Sequence, residues 1–125
     1  MALRPRHYQL HVWQESMRLV KQVYLGTEKM PAAERFGLQS QIRRAVISIP
    51  SNIAEGSARG SSLEYARFLQ IARGSLMELD TQLWLGHDLG QIDYSDELKS
   101  AMESVLLKLN SLIKSKKEKS NNNAT

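Results

Sequence analysis

The stretch YARFLQIARGSLMELDTQLWLG, residues 65–86, carries the most regular apolar pattern in the chain. Its apolar stripe, in alternating steps of four and three residues, consists of Tyr65, Leu69, Ala72, Leu76, Leu79, Leu83 and Gly86. This spacing keeps side chains on one face of an α-helix, and it favours packing against neighbouring helices at about 20°. Either Ser61 or Ser62 can cap the helix, and Glu64 lies three residues after Ser61, as a capping box requires. We predict a long helix that ends near Gly90.

Three other segments repeat this spacing. The first contains Leu10, Trp13, Met17, Val20 and Tyr24 and should end near Gly26. The second contains Leu38, Ile42, Ala45, Val46, Ile49 and Ile53. The last contains Leu98, Met102, Val105, Leu109 and Leu112, with Ser95 as a plausible cap. Because the links between the segments are short and polar, the pattern predicts an all-α fold, an antiparallel up-down-up-down four-helix bundle.

A proline interrupts the second predicted helix. Pro50 has no N–H for the carbonyl of Val46, and its ring crowds that carbonyl, so we expect a kink or a cost of about 3 kcal/mol. Because Ser48 and Ser51 can bond nearby carbonyls, a bent but continuous helix is the prediction. The segment could be only a kinked helix that ends in a turn. Alternatively, it could present a polar stripe to RNA or to a neighbouring subunit, made of Gln41, Arg44, Ser48, Asn52 and Glu55.

Composition and length indicate one bundle domain over residues 8–114, a flexible N-terminus over residues 1–7 and a disordered basic tail over residues 115–125. The chain has 125 residues and no cysteine, which excludes disulfides and fits a cytoplasmic location. No apolar run reaches the roughly 18 residues that a membrane span needs.

Charge is distributed unevenly along the chain. Residues 1–59 hold nine Lys/Arg and four Asp/Glu, residues 60–113 hold four and eight, and residues 114–125 hold four and one. These counts give net charges of +5, −4 and +3. A basic region of this kind suits a polyanionic partner, whereas the acidic region could instead meet the basic region of another copy.

Two segments carry a family resemblance. The stretch RFGLQSQIRRAVISIPSNIAEGSARGSSLEYARFLQIARGSLMELDTQL, residues 35–83, and LHVWQESMRLVKQVY, residues 10–24, resemble the four-helix-bundle family of 23S rRNA intervening-sequence proteins. The resemblance extends from about Tyr8 to about Lys114. It implies a cytoplasmic, non-catalytic bundle that forms a ring, a homopentamer. A related branch is similar to accessory proteins of diversity-generating retroelements, which bind nucleic acid and a reverse transcriptase.

A second stripe on the third helix favours assembly on grounds of its own. It consists of Glu64, Phe68, Ile71, Ser75, Glu78, Gln82, Leu85 and Leu89. One bundle core does not need two full stripes on a single helix, so we predict a subunit interface that accepts Arg43 or Arg44 from a neighbour. The alternative is that both arginines pair with Glu64 and Glu78 within one subunit. Contact between oppositely charged regions could close a head-to-tail ring.

Basic side chains are the candidates for contact with nucleic acid. They are Arg4, Arg6, Arg18, Lys21, Arg43, Arg44, Arg59, Arg67, Arg73, Lys114, Lys116, Lys117 and Lys119. Such residues would bind RNA phosphates with salt-sensitive and largely sequence-independent affinity. The alternative is a solvated surface with a solubilising tail. A second hypothesis is an adaptor ring that recruits a partner such as a reverse transcriptase, with nucleic acid secondary.

No catalytic or metal-binding set emerges from the sequence. His7 and His11 would share a helix face, but a complete ligand set is missing because the only other histidine is His87. No nucleophile and base converge in the pattern. We therefore expect no enzymatic activity, no cofactor, no metal and no small-molecule substrate.

Overall fold

The computed structural model describes residues 5–123. They form four α-helices, α1 (His11–Thr27), α2 (Leu38–Ser57), α3 (Ser62–Asp88) and α4 (Asp96–Asn123), and no strand occurs among them. Short 3-10 helices cover Arg6–Gln9, before α1, and Ala32–Glu34, in the link between α1 and α2. The prediction of an all-α four-helix bundle is confirmed. None of the helices described is long and apolar enough to cross a membrane.

Caps and turns fix the helix ends close to the predicted positions. The Ser61 hydroxyl accepts a hydrogen bond of 3.1 Å from the Glu64 N–H at the start of α3. The Ser95 hydroxyl accepts one of 3.1 Å from Leu98 at the start of α4. Gly90 follows α3 with a φ of +71°, a left-handed conformation that glycine adopts without strain. Local residue choice therefore sets where α3 and α4 begin.

All four helices contribute to one apolar core. Its fully buried side chains are Leu19, Val23, Ile42, Val46, Ile49, Ile53, Leu69, Leu76, Leu79, Leu83, Val105 and Leu109. The stripes predicted for α2, α3 and α4 supply ten of these twelve residues. Burial of each such aliphatic side chain stabilises the fold by about 1.5–3 kcal/mol.

The core face of α1 differs from the prediction. The buried residues of α1 are Val12, Ser16, Leu19, Val23 and Thr27, whereas Met17 of the predicted stripe is 39% exposed. Ser16 and Thr27 tolerate burial because their hydroxyls donate to the carbonyls of Trp13 and Val23, each at 2.8 Å. A pattern of large apolar residues does not reveal this face of α1, because two of the buried residues, Ser16 and Thr27, are small and polar.

The pair α2 and α3 makes close contact at two levels. The hydroxyls of Ser48 and Ser75 are 2.8 Å apart. Gly56 packs so closely on α3 that a Cβ built there would lie 2.8 Å from the Cβ of Phe68. Pro50 is buried inside α2, and the helix continues on both sides of it, which agrees with the predicted continuity.

Both chain ends differ in part from the predicted disorder. Helix α4 continues to Asn123, whereas the sequence predicted a disordered tail over residues 115–125. Lysine and glutamate are good helix formers, and extending a helix that is already anchored in the core needs no new nucleation. Of the predicted flexible N-terminus, residues 1–4 lie outside the described residues, as do residues 124–125 of the tail.

Candidate nucleic-acid interface

Most of the predicted nucleic-acid contacts have no carboxylate partner. Arg4 lies outside the described residues. Of the twelve described candidates, Arg59 pairs with Glu55 at 2.9 Å and Arg67 lies 3.8 Å from Glu64. Within residues 5–123 the other ten make no ion pair, and of these Arg6, Arg18, Lys21, Arg44, Lys114, Lys117 and Lys119 are exposed. Seven exposed candidate cations are therefore not held in contact ion pairs by the described acidic residues.

Arg43 has no ion pair, but it binds the end of α1. Its Nε donates to the Thr27 hydroxyl at 3.1 Å, and a terminal nitrogen donates to the Tyr24 carbonyl at 3.3 Å. Its guanidinium also lies 4.3 Å from the centre of the Tyr24 ring. The last carbonyls of a helix have no partner within the helix and attract cations. Arg43 is therefore a structural link within the chain.

The alternative in which both arginines pair with Glu64 and Glu78 inside one subunit does not occur among the described residues. Arg43 binds α1, Glu64 turns to Arg67, and Glu78 accepts a hydrogen bond of 3.1 Å from Gln82. Arg44 is exposed, and none of the described carboxylates pairs with it. No charge pattern marks the partners of Arg43, because they are a threonine hydroxyl and a backbone carbonyl.

Three other candidate cations make contacts within the chain, in two regions of the fold. Arg73 donates to the Asn110 side-chain oxygen at 2.9 Å and so connects α3 with α4. Arg59 and Lys116 come together near the start of α3. Lys116 lies over the ring of Tyr65, with its ammonium 4.7 Å from the ring centre.

The second stripe of α3 is partly covered within the chain. Gln82 is only 6% exposed, Ser75 bonds Ser48 of α2, and Phe68 lies under the guanidinium of Arg59 at 4.7 Å. Ile71, at 43% exposed, and Glu78 remain open to solvent. The close pairing of α2 with α3 at Gly56 and Ser48 is what the sequence pattern did not reveal. The two leucines that end the stripe, Leu85 and Leu89, are exposed.

An aromatic cluster at the other end of α3 was not predicted. The Tyr94 hydroxyl donates to the Asp80 carboxylate at 2.7 Å, and the Lys99 ammonium lies 4.5 Å from the centre of the Trp84 ring. Burial and the adjacent Asp80 raise the pKa of Tyr94 well above its ordinary value. These contacts fasten the link before α4 to α3, and we assign them a structural role.

Metal chemistry has little support in the described part of the chain. No group of three or more His, Asp or Glu side chains there could hold a metal ion. His7 packs against aromatic rings, with its ring centre 4.9 Å from that of Tyr8 and 5.0 Å from that of Trp13.

The described residues form a small helical bundle in which several exposed lysines and arginines make no ion pair. The family model described as 23S rRNA-intervening sequence protein matches residues 8–111, and the chain belongs to this family. The resemblance inferred from residues 10–24 and 35–83 is therefore confirmed. A comparison with curated proteins finds no match.

Proposed function

We propose that the protein is a non-catalytic, oligomeric scaffold that binds RNA through its basic surface in the cytoplasm. One observation supports this proposal most strongly: seven of the twelve described candidate cations are exposed and make no ion pair with the described acidic residues. A cation without a carboxylate partner is free to replace the counterions of a phosphate backbone.

The last turns of α4 are central to this surface. Lys114 and Lys117 are exposed on a helix that continues to Asn123, so both charges are held on an ordered support. Ordered cations lose less conformational entropy on binding than cations on a flexible tail. We therefore expect these lysines to contribute more than an unstructured basic tail would.

Assembly is the second part of the proposal. We propose a head-to-tail homopentamer in which the open part of the α3 stripe contacts Arg44 of a neighbour. Ile71 and Leu85 are exposed apolar side chains of α3, and Leu89 is another directly after its end; Glu78 supplies a carboxylate among them. Apolar area with one charge suits a subunit boundary, and repeated basic surfaces would gain affinity through multivalency.

An antiparallel up-down-up-down course and a bend at Pro50 complete the architecture that we propose. Two contacts support the antiparallel course of α2 and α3, because Ser48 meets Ser75 whereas Gly56, later in α2, meets Phe68, earlier in α3. The buried ring of Pro50 lacks the N–H that an unbent helix would use.

A second candidate function is a protein adaptor whose ring recruits a partner such as a reverse transcriptase. The same exposed apolar residues of α3 favour it, because they could contact another protein instead of a second copy. In this case RNA binding would be secondary or absent.

Charge reversal tests the RNA proposal against the adaptor proposal. The double variant Lys114→Glu/Lys117→Glu removes two exposed charges of α4, and Lys29→Glu/Arg35→Glu makes the same charge change in the exposed link between α1 and α2. Binding to a fluorescent single-stranded RNA of random sequence is measured by anisotropy at low salt. We expect the α4 variant to lose at least tenfold in affinity and the control to lose less than threefold. Absence of binding by the wild-type protein would refute the RNA proposal and favour the adaptor.

A further inference from the structure

A pocket of about 490 Å³ lies where the first 3-10 helix, the link between α2 and α3 and the last turns of α4 meet. Its charged and aromatic lining consists of Arg6, Arg59, Tyr65, Lys116 and Lys119. These residues come from three separated parts of the chain, so only the folded molecule assembles them. The volume lies within the range of roughly 300–1,000 Å³ that is typical of small-ligand sites.

Positive charge in this pocket is largely uncompensated. No carboxylate lines it in the part of the chain described, and Arg59 alone has an acidic partner, Glu55, at 2.9 Å. Nearby Glu64 turns instead to Arg67. Arg6, Lys116 and Lys119 therefore face one another without a counterion from the protein.

The proximity of these cations affects the pKa of Lys116. Burial lowers the pKa of Lys116, and the neighbouring charges of Lys119 and Arg6 lower it further. Its ammonium keeps one favourable contact, with the ring of Tyr65 at 4.7 Å. A bound anion would offset the repulsion among Arg6, Lys116 and Lys119, because each of the three cations would then face a negative charge.

We propose that this pocket binds a phosphate group of an RNA strand, with Arg6, Lys116 and Lys119 as its ligands; this inference rests on the proposed RNA-binding function. The phosphodiester group of an RNA strand carries one negative charge on two non-bridging oxygens, and three cations around one pocket supply more than enough positive charge to hold it. The start of α3, at Ser61 and Ser62, lines the same pocket and adds the partial positive charge of a helix N-terminus. The shared chemistry is phosphate, whether it comes from RNA or from a free phosphorylated molecule.

The test compares two double variants of the full-length protein. Arg6→Gln/Lys116→Gln removes two charges from the pocket, and Lys29→Gln/Arg35→Gln removes two exposed charges far from it in sequence and absent from its lining. Affinities for inorganic pyrophosphate and for a single-stranded RNA are measured by titration. Binding of pyrophosphate is followed through the NMR amide signals of residues 61–63. Thermal unfolding of each variant confirms that it is folded as the wild type is.

We expect the pocket variant to lose at least tenfold in affinity for both ligands, and the control to lose less than threefold. If the wild-type protein binds RNA and the two variants lose equal affinity for it, the pocket is overturned as an RNA site and the RNA-binding function remains. Binding of pyrophosphate at residues 61–63 without any RNA binding would overturn RNA as the source of the phosphate. Absence of a pyrophosphate response in the wild type would overturn the pocket as a phosphate site.

Discussion

Replacement of Gly56 by alanine tests the close contact between α2 and α3. The new Cβ would lie 2.8 Å from the Cβ of Phe68 and 3.3 Å from both the ring and the carbonyl oxygen of Tyr65. A Cβ is fixed to the backbone, so α2 and α3 must separate to relieve the clash. Overpacking of this kind costs about 1–3 kcal/mol, whereas alanine in a helix gains about 0.5–1 kcal/mol over glycine. We therefore expect Gly56→Ala to destabilise the protein by about 1 kcal/mol net.

Gly74 provides the matched control. It also lies inside a helix, but nothing would lie within 4 Å of a Cβ added there. Gly74→Ala should therefore stabilise the protein by about 0.5–1 kcal/mol. Urea unfolding followed by circular dichroism, at one fixed protein concentration, measures both changes. With a slope near 2 kcal/mol per molar urea, the midpoint of Gly56→Ala should fall by about 0.5 M. A midpoint at or above that of the wild type would refute the close packing of α2 on α3.

Three further substitutions test other parts of the account. Glu78→Lys should reduce the oligomer to smaller species in light scattering. The control Glu103→Lys, which also changes an exposed glutamate, should leave the mass unchanged. An unchanged mass for Glu78→Lys would contradict the α3 interface. Tyr94→Phe should cost about 1 kcal/mol at pH 8 through loss of the hydrogen bond to Asp80. Because the folded state raises the pKa of Tyr94, wild-type stability should fall as the pH rises above about 10, the ordinary tyrosine value. Tyr94→Phe should therefore lose less stability than the wild type between pH 8 and 10.5. Equal losses would contradict the hydrogen bond from a neutral Tyr94 to Asp80. Arg43→Met should cost about 1–3 kcal/mol in urea unfolding, since two hydrogen bonds to the end of α1 are lost, and wild-type stability would argue against that link.

Helical periodicity was sufficient to predict most of the fold. Leu69, Leu76 and Leu83 recur in steps that only a helix brings onto one face, and they are buried. The sequence predicts caps at Ser95 and at either Ser61 or Ser62, because hydroxyls at such positions bond free backbone N–H groups; in the structure Ser61 and Ser95 do so. Signals of this kind are local, so they can be read before the chain is folded.

What the sequence left unpredicted depends on contacts between distant residues. Arg43 bonds a carbonyl and a hydroxyl 19 and 16 residues away, where no charge pattern marks its partners. Ser16 is buried in α1 although an apolar pattern passes over it. Likewise, the candidate cations were all visible in the sequence, but only the fold brings Arg6 and Lys116 to one pocket.

The salt dependence of RNA binding tests the central claim most directly. For single-stranded RNA, the logarithm of the association constant should fall with the logarithm of salt concentration by about 0.7 for each phosphate contacted. Contact by five of the unpaired cations would give a slope near −3.5, which is a loss of about a hundredfold between 50 and 200 mM salt. We predict a linear and steep decrease of this order for the wild-type protein. Affinity that does not change with salt, or no binding at 50 mM, would contradict the account.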